Sequence, residues 1–244
     1  MLQKIIILIL MQLSFLDNCI AQKNSDTMIT ETSLVYRIKE PKTNAKFSSM
    51  LVLLHGHGSN ENDILGLAEK VPDHWAVVSV RGPYQLGSNS FRWYDVGMVN
   101  GKIEINIDQE ELSRKKLIDL INQIADKHHI DKSKIVVAGF SQGANMAQSL
   151  GLGEPTIAAG FGVFSGRYVA EFTPYINKSK QLQNVRVFLS HGSGDNMLPK
   201  TYADENLNKL KDLGIQITYC EDTNGHSIST KQWSEFSKWL LNFN

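Results

Sequence analysis

The chain has 244 residues, 42% of them apolar and 20% charged, which is ordinary globular usage and excludes collagen-like, disordered and acidic-tail classes. Lys plus Arg and Asp plus Glu both number 25, so the formal net charge is zero, and no basic stripe is present to track a phosphate backbone. Two cysteines, Cys19 and Cys220, are too few for a disulfide scaffold or a four-thiolate zinc site.

The N-terminus stands apart. Lys4 precedes a run from Ile5 to Leu16 that is apolar except for Gln12 and Ser14, and Cys19-Ile20-Ala21 then places small residues before a polar stretch. This order predicts an exported protein, periplasmic or secreted, with a signal peptide over residues 1–21 cut after Ala21. The apolar run is too short for a comfortable membrane span, so no stable membrane insertion is expected. A buried N-terminal element and a lipoprotein acylated at Cys19 are the alternatives, the second fitting poorly with Asp17 and Asn18. Cleavage would leave Cys220 as a lone thiol. Residues 22–31 read as a flexible segment, and 32–244 as one catalytic domain.

From there the chain alternates. Residues 32–39 alternate apolar and polar as an antiparallel edge hairpin would. Residues 50–54, 75–80, 134–138, 157–164 and 185–189 are continuous apolar runs bounded by Gly or His-Gly, the pattern of strands buried on both faces. Residues 108–129 place Leu112, Leu117, Ile121 and Ile124 near helical spacing, with acids early and Lys127, His128 and His129 late, matching the helix dipole. Further helices are expected over 142–150, 199–213 and 229–241. Strand then helix, repeated, predicts an α/β fold with a mostly parallel sheet and helices on both faces.

Gly139-Phe140-Ser141-Gln142-Gly143 follows one of these strands and opens a helix, the context that a G-x-S-x-G nucleophile elbow requires. A serine needs a base, and the base needs an orienting acid. Of seven histidines, His226 follows the strand expected at 217–221 and precedes the last helix, the place of the base in the order serine, acid, histidine. His128 and His129 read as a helix cap, His74 has no partner signal, and His55 and His191 read as loop-holding residues. Asp195, after the strand at 185–189, is the expected acid, with Asp222 its rival. The glycine-rich turn His55-Gly56-His57-Gly58 offers a backbone amide, so the expected oxyanion donors are the N–H groups of His57 and Gln142. His55 and His57 also suggest a metal pair, but no third ligand stands at recognisable spacing. No metal and no cofactor are expected.

Together, His55-Gly56-x-Gly58, the elbow, His191-Gly192-x-x-Asp195-x-x-x-Pro199 and Gly225-His226 resemble the phospholipase/carboxylesterase family of α/β hydrolases, which includes the acyl-protein thioesterases. The likeness runs from about Thr32 to Phe243. It implies an α/β-hydrolase fold without a large lid, Ser141, Asp195 and His226 as the triad, and a small-molecule ester as substrate. It also puts Arg92, Trp93 and Tyr94, with Met197 beside the acid, in the substrate pocket. The family usually has an apolar residue where His57 stands, so a more polar wall is expected here. The stretch from Arg167 to Asn184 has room for about one helix and a loop, not a mobile lid. These features predict an open, shallow site and a serine carboxylesterase best on acyl groups of about two to six carbons. A lysophospholipase or acyl-thioesterase, a feruloyl or acetyl polysaccharide esterase, and acyl transfer to another acceptor share the same residues; a non-catalytic binding module is disfavoured by the complete triad.

Overall fold

The computed structural model describes residues 27–29, 34–42 and 48–243. The expected signal peptide, its cleavage point and Cys19 lie outside the described residues.

In chain order, Thr27–Ile29 (β1), Tyr36–Lys39 (β2), Ser49–Leu54 (β3) and Trp75–Val80 (β4) are followed by two hairpins that stand off the main sheet. These pair Tyr84–Gly87 (β5) with Ser90–Arg92 (β6), and Val96–Val99 (β7) with Lys102–Ile105 (β8). Then come Ile135–Phe140 (β9), Gly160–Phe164 (β10), Arg186–Gly192 (β11) and Gln216–Asp222 (β12). Among the described residues the main sheet has eight strands in the order β1-β2-β4-β3-β9-β10-β11-β12. β2 runs antiparallel to both β1 and β4, and every other neighbour pair is parallel. The sequence pattern found the parallel strands because each is apolar on both faces. It missed that β1 pairs with β2: part of the segment read as flexible is a strand, and the edge hairpin is built from 27–29 and 36–39 rather than within 32–39.

Helices Glu61–Leu65 (α1), Ile107–His128 (α2), Gln142–Gly153 (α3), Lys200–Asp212 (α4) and Thr230–Leu240 (α5) cover both faces. Met50, Val52 and Leu54 of β3 join Leu117 and Ile121 of α2, Leu150 of α3 and Leu210 of α4 in one core. Leu51 and Leu53, the alternate residues, join Ile64 of α1 and Trp233, Phe236 and Leu240 of α5 in the other. The two-residue period of a strand thus feeds two separate cores from one run of leucines. Leu112 corrects the helical reading: it is 47% exposed, while the buried face of α2 passes through Ser113, Leu117, Leu120, Ile121 and Ile124. The stretch expected to hold one helix forms two short 3₁₀ turns, Ala170–Tyr175 and Lys180–Asn184, with Tyr168 and Phe172 buried. Among the described residues no helix is long and apolar enough to cross a membrane.

One buried acid sits between α2 and α3. Glu110 is almost fully buried; Ser149 Oγ donates to its Oε1, and Oε2 has no hydrogen-bond partner. Burial pushes its carboxyl up to about 7. In the unfolded chain the same group ionises near 4.5. Between those values the folded protein holds more protons than the unfolded one, so stability is full below the lower value and is lost as pH rises through the upper. Glu110→Gln should therefore flatten the stability profile from pH 5 to 8. Urea denaturation should show the difference between the two proteins growing by up to about 3 kcal/mol over that range.

Candidate active site

β9 runs into Ser141, whose φ of 53° and ψ of −115° place a non-glycine residue in strained backbone. Such a conformation costs on the order of 1–3 kcal/mol and persists only where the surroundings hold it. Here Ser141 N–H donates to Phe164 O at 2.9 Å, and its carbonyl accepts from Ala144 and Asn145. The glycines on either side are demanded by space. A Cβ on Gly139 would stand 2.2 Å from Gly143 O, and one on Gly143 would stand 2.2 Å from Leu54 O. The turn consequently lifts the Ser141 hydroxyl off the end of the sheet at the N-terminus of α3.

The loop after β12 brings His226 to it. His226 Nε2 lies 3.0 Å from Ser141 Oγ, and Nδ1 lies 2.7 Å from Asp195 Oδ2. Asp195 is buried, and its other oxygen accepts from the amides of Met197 at 2.9 Å and Leu198 at 2.8 Å. Burial works to raise its pKa, but the Leu198 amide, His226 and the Met197 amide together outweigh burial and hold it below the ordinary aspartate value. The two loops are zipped by Ser193 N–H to Asp222 O and Gly194 N–H to Asn224 O. The rival acid points elsewhere: Asp222 accepts from Ser229 Oγ at 2.6 Å and Thr223 N–H at 2.9 Å, tying down the entry to α5.

Two further histidines brace the frame. His55 Nδ1 donates to Gly56 O at 2.7 Å, and its Nε2 accepts from Gly82 N–H at 2.9 Å. Both nitrogens are committed, which fixes the neutral tautomer; burial lowers its pKa in the same sense. His191 Nε2 donates to Leu198 O at 2.8 Å and so holds the acid's loop. Among the described residues no group of three or more His, Cys, Asp or Glu could hold a metal ion.

The amides expected as oxyanion donors belong to the first turn of α3 and to the loop after β3. The leading N–H groups of a helix have no intrahelical acceptor. In the loop, Gly58 N–H donates to Phe91 O and Ser59 N–H to Gly56 O, bonds that leave out the His57 N–H. The His57 imidazole is exposed; partial burial and the nearby Arg92 lower its pKa. The Gln142 side chain has a separate task. Its Oε1 accepts from Trp93 N–H and its Nε2 donates to Tyr94 O, both at 2.8 Å, which clamps the 93–94 segment against the elbow.

A cleft of about 380 Å³ opens beside Ser141, walled by Tyr94, Val96, Ile103, Ile105, Met197 and Leu198, with Gln142, Asn145, Arg167 and His57 completing it. Tyr94 and Met197 line it as the family resemblance implied. Arg92 and Trp93 do not. Arg92 pairs with Asp95 at 2.6 Å, and Trp93 is wholly buried with its indole N–H donating to His55 O. The expected shallow site is also revised, because the β7–β8 hairpin supplies an apolar wall that the strand-and-helix reading overlooked. Its signal was present: Asn100 and Gly101 both take positive φ at the turn, and an Asn-Gly pair between alternating residues marks a tight hairpin.

A model of the family described as phospholipase/carboxylesterase matches residues 36–243. The chain belongs to that family. Among its relatives, lysophospholipase-like protein 1 of Mus musculus is 27% identical, covering 80% of this chain and 87% of its own. Acyl-protein thioesterase 1 of Mycosarcoma maydis is 25% identical, over 70% of this chain and 79% of its own. Of solved structures, the carboxylesterase of Mesorhizobium loti superposes with a TM-score of 0.78 at 20% identity, covering 90% of this chain and 99% of its own. The Bacillus cereus carboxylesterase gives 0.74 at 22%, over 88% and 96%. The fold of this family member is therefore the α/β-hydrolase fold, and the protein is a carboxylesterase-type hydrolase.

If the Gln142 side chain clamps the pocket wall, Gln142→Ala should leave its backbone amide in place while freeing Trp93 N–H and Tyr94 O. Two buried backbone groups without partners should lower stability by about 2–4 kcal/mol. Chemical denaturation with Trp fluorescence as the probe measures it; an unchanged midpoint would show that the clamp carries no energy.

Proposed function

We propose that this family member hydrolyses short-chain acyl esters through an acyl-serine intermediate, with Ser141 as nucleophile, His226 as general base and acid, and Asp195 as the orienting carboxylate. The observation that carries the reading is the unbroken hydrogen-bond chain from Asp195 Oδ2 through His226 to Ser141 Oγ at a strained elbow. Asp195 accepts from His226 Nδ1–H, leaving Nε2 unprotonated and able to take the Ser141 proton as Oγ attacks the ester carbonyl. The negative charge that develops on the carbonyl oxygen is met by the backbone N–H groups of His57 and Gln142. His226 then passes its proton to the departing alkoxide. A water molecule, deprotonated by the same nitrogen, attacks the acyl-serine and releases the acid. The amides of Met197 and Leu198 keep Asp195 ionised throughout, so it stabilises the imidazolium without taking the proton.

Ser141→Ala and His226→Ala should each lower kcat by several orders of magnitude with folding retained, and by similar amounts because the groups act as a unit. Asp195→Asn should cost on the order of 10⁴, whereas Asp222→Asn should behave as a change in loop anchoring. Steady-state kinetics with p-nitrophenyl butyrate, together with fluorophosphonate labelling, reads all four. A larger loss in Asp222→Asn than in Asp195→Asn would reassign the acid.

A second reading, a lysophospholipase or acyl-thioesterase, is favoured by one feature. Val96 and Met197, which line the cleft, are themselves exposed, Met197 at 70%, and Met98, two residues beyond Val96 on the same strand, is 67% exposed. Each methylene buried against such a wall is worth about 0.8 kcal/mol, up to the point where the wall ends. A series of p-nitrophenyl esters from acetyl to palmitoyl separates the two readings. The small-ester reading expects kcat/KM to peak by about six carbons; a climb that continues to sixteen would establish the other. We also propose that the chain acts outside the cytoplasm, on the strength of the basic, apolar and small-residue order over residues 1–21.

A further inference from the structure

Two cavities meet at the Ser141–His226 pair. One is the cleft on the Ser141 side, walled by the β7–β8 hairpin. The other, about 350 Å³, lies on the His226 side under α1 and is bounded by Ile64 and Leu67, by Phe140 and Ile228, and by Asp63 and His57 at its mouth. The mechanism proposed above distinguishes them. His226 Nε2 gives its proton to the departing oxygen, so that oxygen must leave on the imidazole's side, while the acyl carbon stays on Ser141. The acyl chain therefore belongs to the hairpin cleft and the alcohol to the cavity under α1.

Resting on that esterase reading, we infer that the cavity under α1 is a leaving-group subsite for a bulky alcohol, neutral or cationic, with Asp63 as its specificity-determining residue. Its size argues against methanol or ethanol as the natural leaving group, which would leave most of the space to water. Four apolar side chains suit a branched or ring-bearing alcohol. Charge sets the rest. Asp63 brings the only carboxylate among the described lining residues, and the three imidazoles of His55, His57 and His226 are their only other titratable groups. Its Oδ2 is held by Ser59 Oγ at 2.6 Å and Asn60 Nδ2 at 3.0 Å, which fixes the carboxylate at the cavity mouth. The neighbouring charges are spoken for: Arg81 is bound to Glu61, and Arg92 to Asp95. A trimethylammonium or similar cation would meet an uncancelled negative charge there, and a sulfonate or carboxylate would be repelled.

Three butyrates with the same two-carbon spacer test this: those of choline, of 3,3-dimethylbutanol and of isethionate, which carry a positive, a neutral and a negative end of similar size. The ratio of kcat/KM between the choline and isethionate esters cancels their shared acyl chemistry. Asp63→Asn should lower that ratio by about tenfold and Asp63→Lys should invert it, with the wild-type ratio shrinking as salt is added. Leu67→Trp, which fills the cavity without touching charge, should lower kcat/KM for naphthyl butyrate relative to methyl butyrate by at least about fivefold while the acyl-length optimum stays where it was. If both Asp63 variants move the ratio less than twofold with the butyrates still hydrolysed, the subsite has no electrostatic selectivity and the inference falls. If Leu67→Trp shifts the acyl-length optimum instead, the two arms are exchanged and the inference falls too. Wild-type protein that hydrolyses none of the butyrates and takes no fluorophosphonate at Ser141 would overturn the esterase reading itself, and this inference with it.

Discussion

The site depends on one close approach of backbone to backbone. The first turn of α3 crosses the carboxyl end of β3 so tightly that a Cβ at Gly143 would sit 2.2 Å from Leu54 O and 2.5 Å from His55 O. Only glycine permits that crossing. Because it is made, the amide end of α3 faces the loop 55–58, and the two sources of backbone N–H come to one place. Ser141 takes the remaining strain, in a φ that serine rarely adopts, and stays there because Phe164 O, Ala144 and Asn145 hold its peptide groups. A hydroxyl poised in this way needs little further motion to meet a carbonyl carbon.

Around that crossing the side chains act mostly on one another. His55 ties Gly56 to Gly82, Gln142 ties Trp93 and Tyr94 to the elbow, and His191 ties Leu198 above Asp195. None of these three needs to touch an ester. The hydrogen bonds they make stay within the frame, which is how a buried polar residue is kept in an apolar core. The aromatic residues of β10, β11 and α5 do the equivalent with area. Phe164, Phe188, Trp233, Phe236 and Trp239 contact in series at ring separations of 5.1–5.8 Å, and they anchor the helix that follows the His226 loop.

What was legible in the sequence was what a single period or a single motif encodes. The parallel strands read well because residues such as Leu51, Val52 and Leu53 must each find a core on opposite faces. The elbow read well because Gly139, Ser141 and Gly143 are each required by local space or strain. That Asp195 and His226 come within hydrogen-bond reach of one another and of Ser141 was legible from their place after successive strands, a rule of chain order more than of chemistry. The pocket walls were not. Arg92 and Trp93 look like pocket residues by type, yet an ion pair and a buried indole consume them. Whether a tryptophan lines a cleft or fills the space behind it depends on the direction of one Cα–Cβ bond, and that is set by the hairpin around it. Leu112 failed for a related reason: helical spacing near 3.6 leaves the edge of the apolar stripe ambiguous by one residue.

The sheet order carries a consequence for how the protein loses its chemistry. β12, which leads into the His226 loop, is the last strand of the sheet and, among the described residues, pairs with β11 alone. Ser141 leaves from β9, which has a strand on each side and lies near the centre. Ser141 and His226 therefore belong to regions of unequal local stability, since an edge strand has a single ladder to break whereas a central one has two. Thermal fluctuations that peel the edge would carry the imidazole away from a serine still held in its turn. On the triad reading proposed above, separation of His226 from Ser141, rather than collapse of the core, would be the first way for such a molecule to stop working.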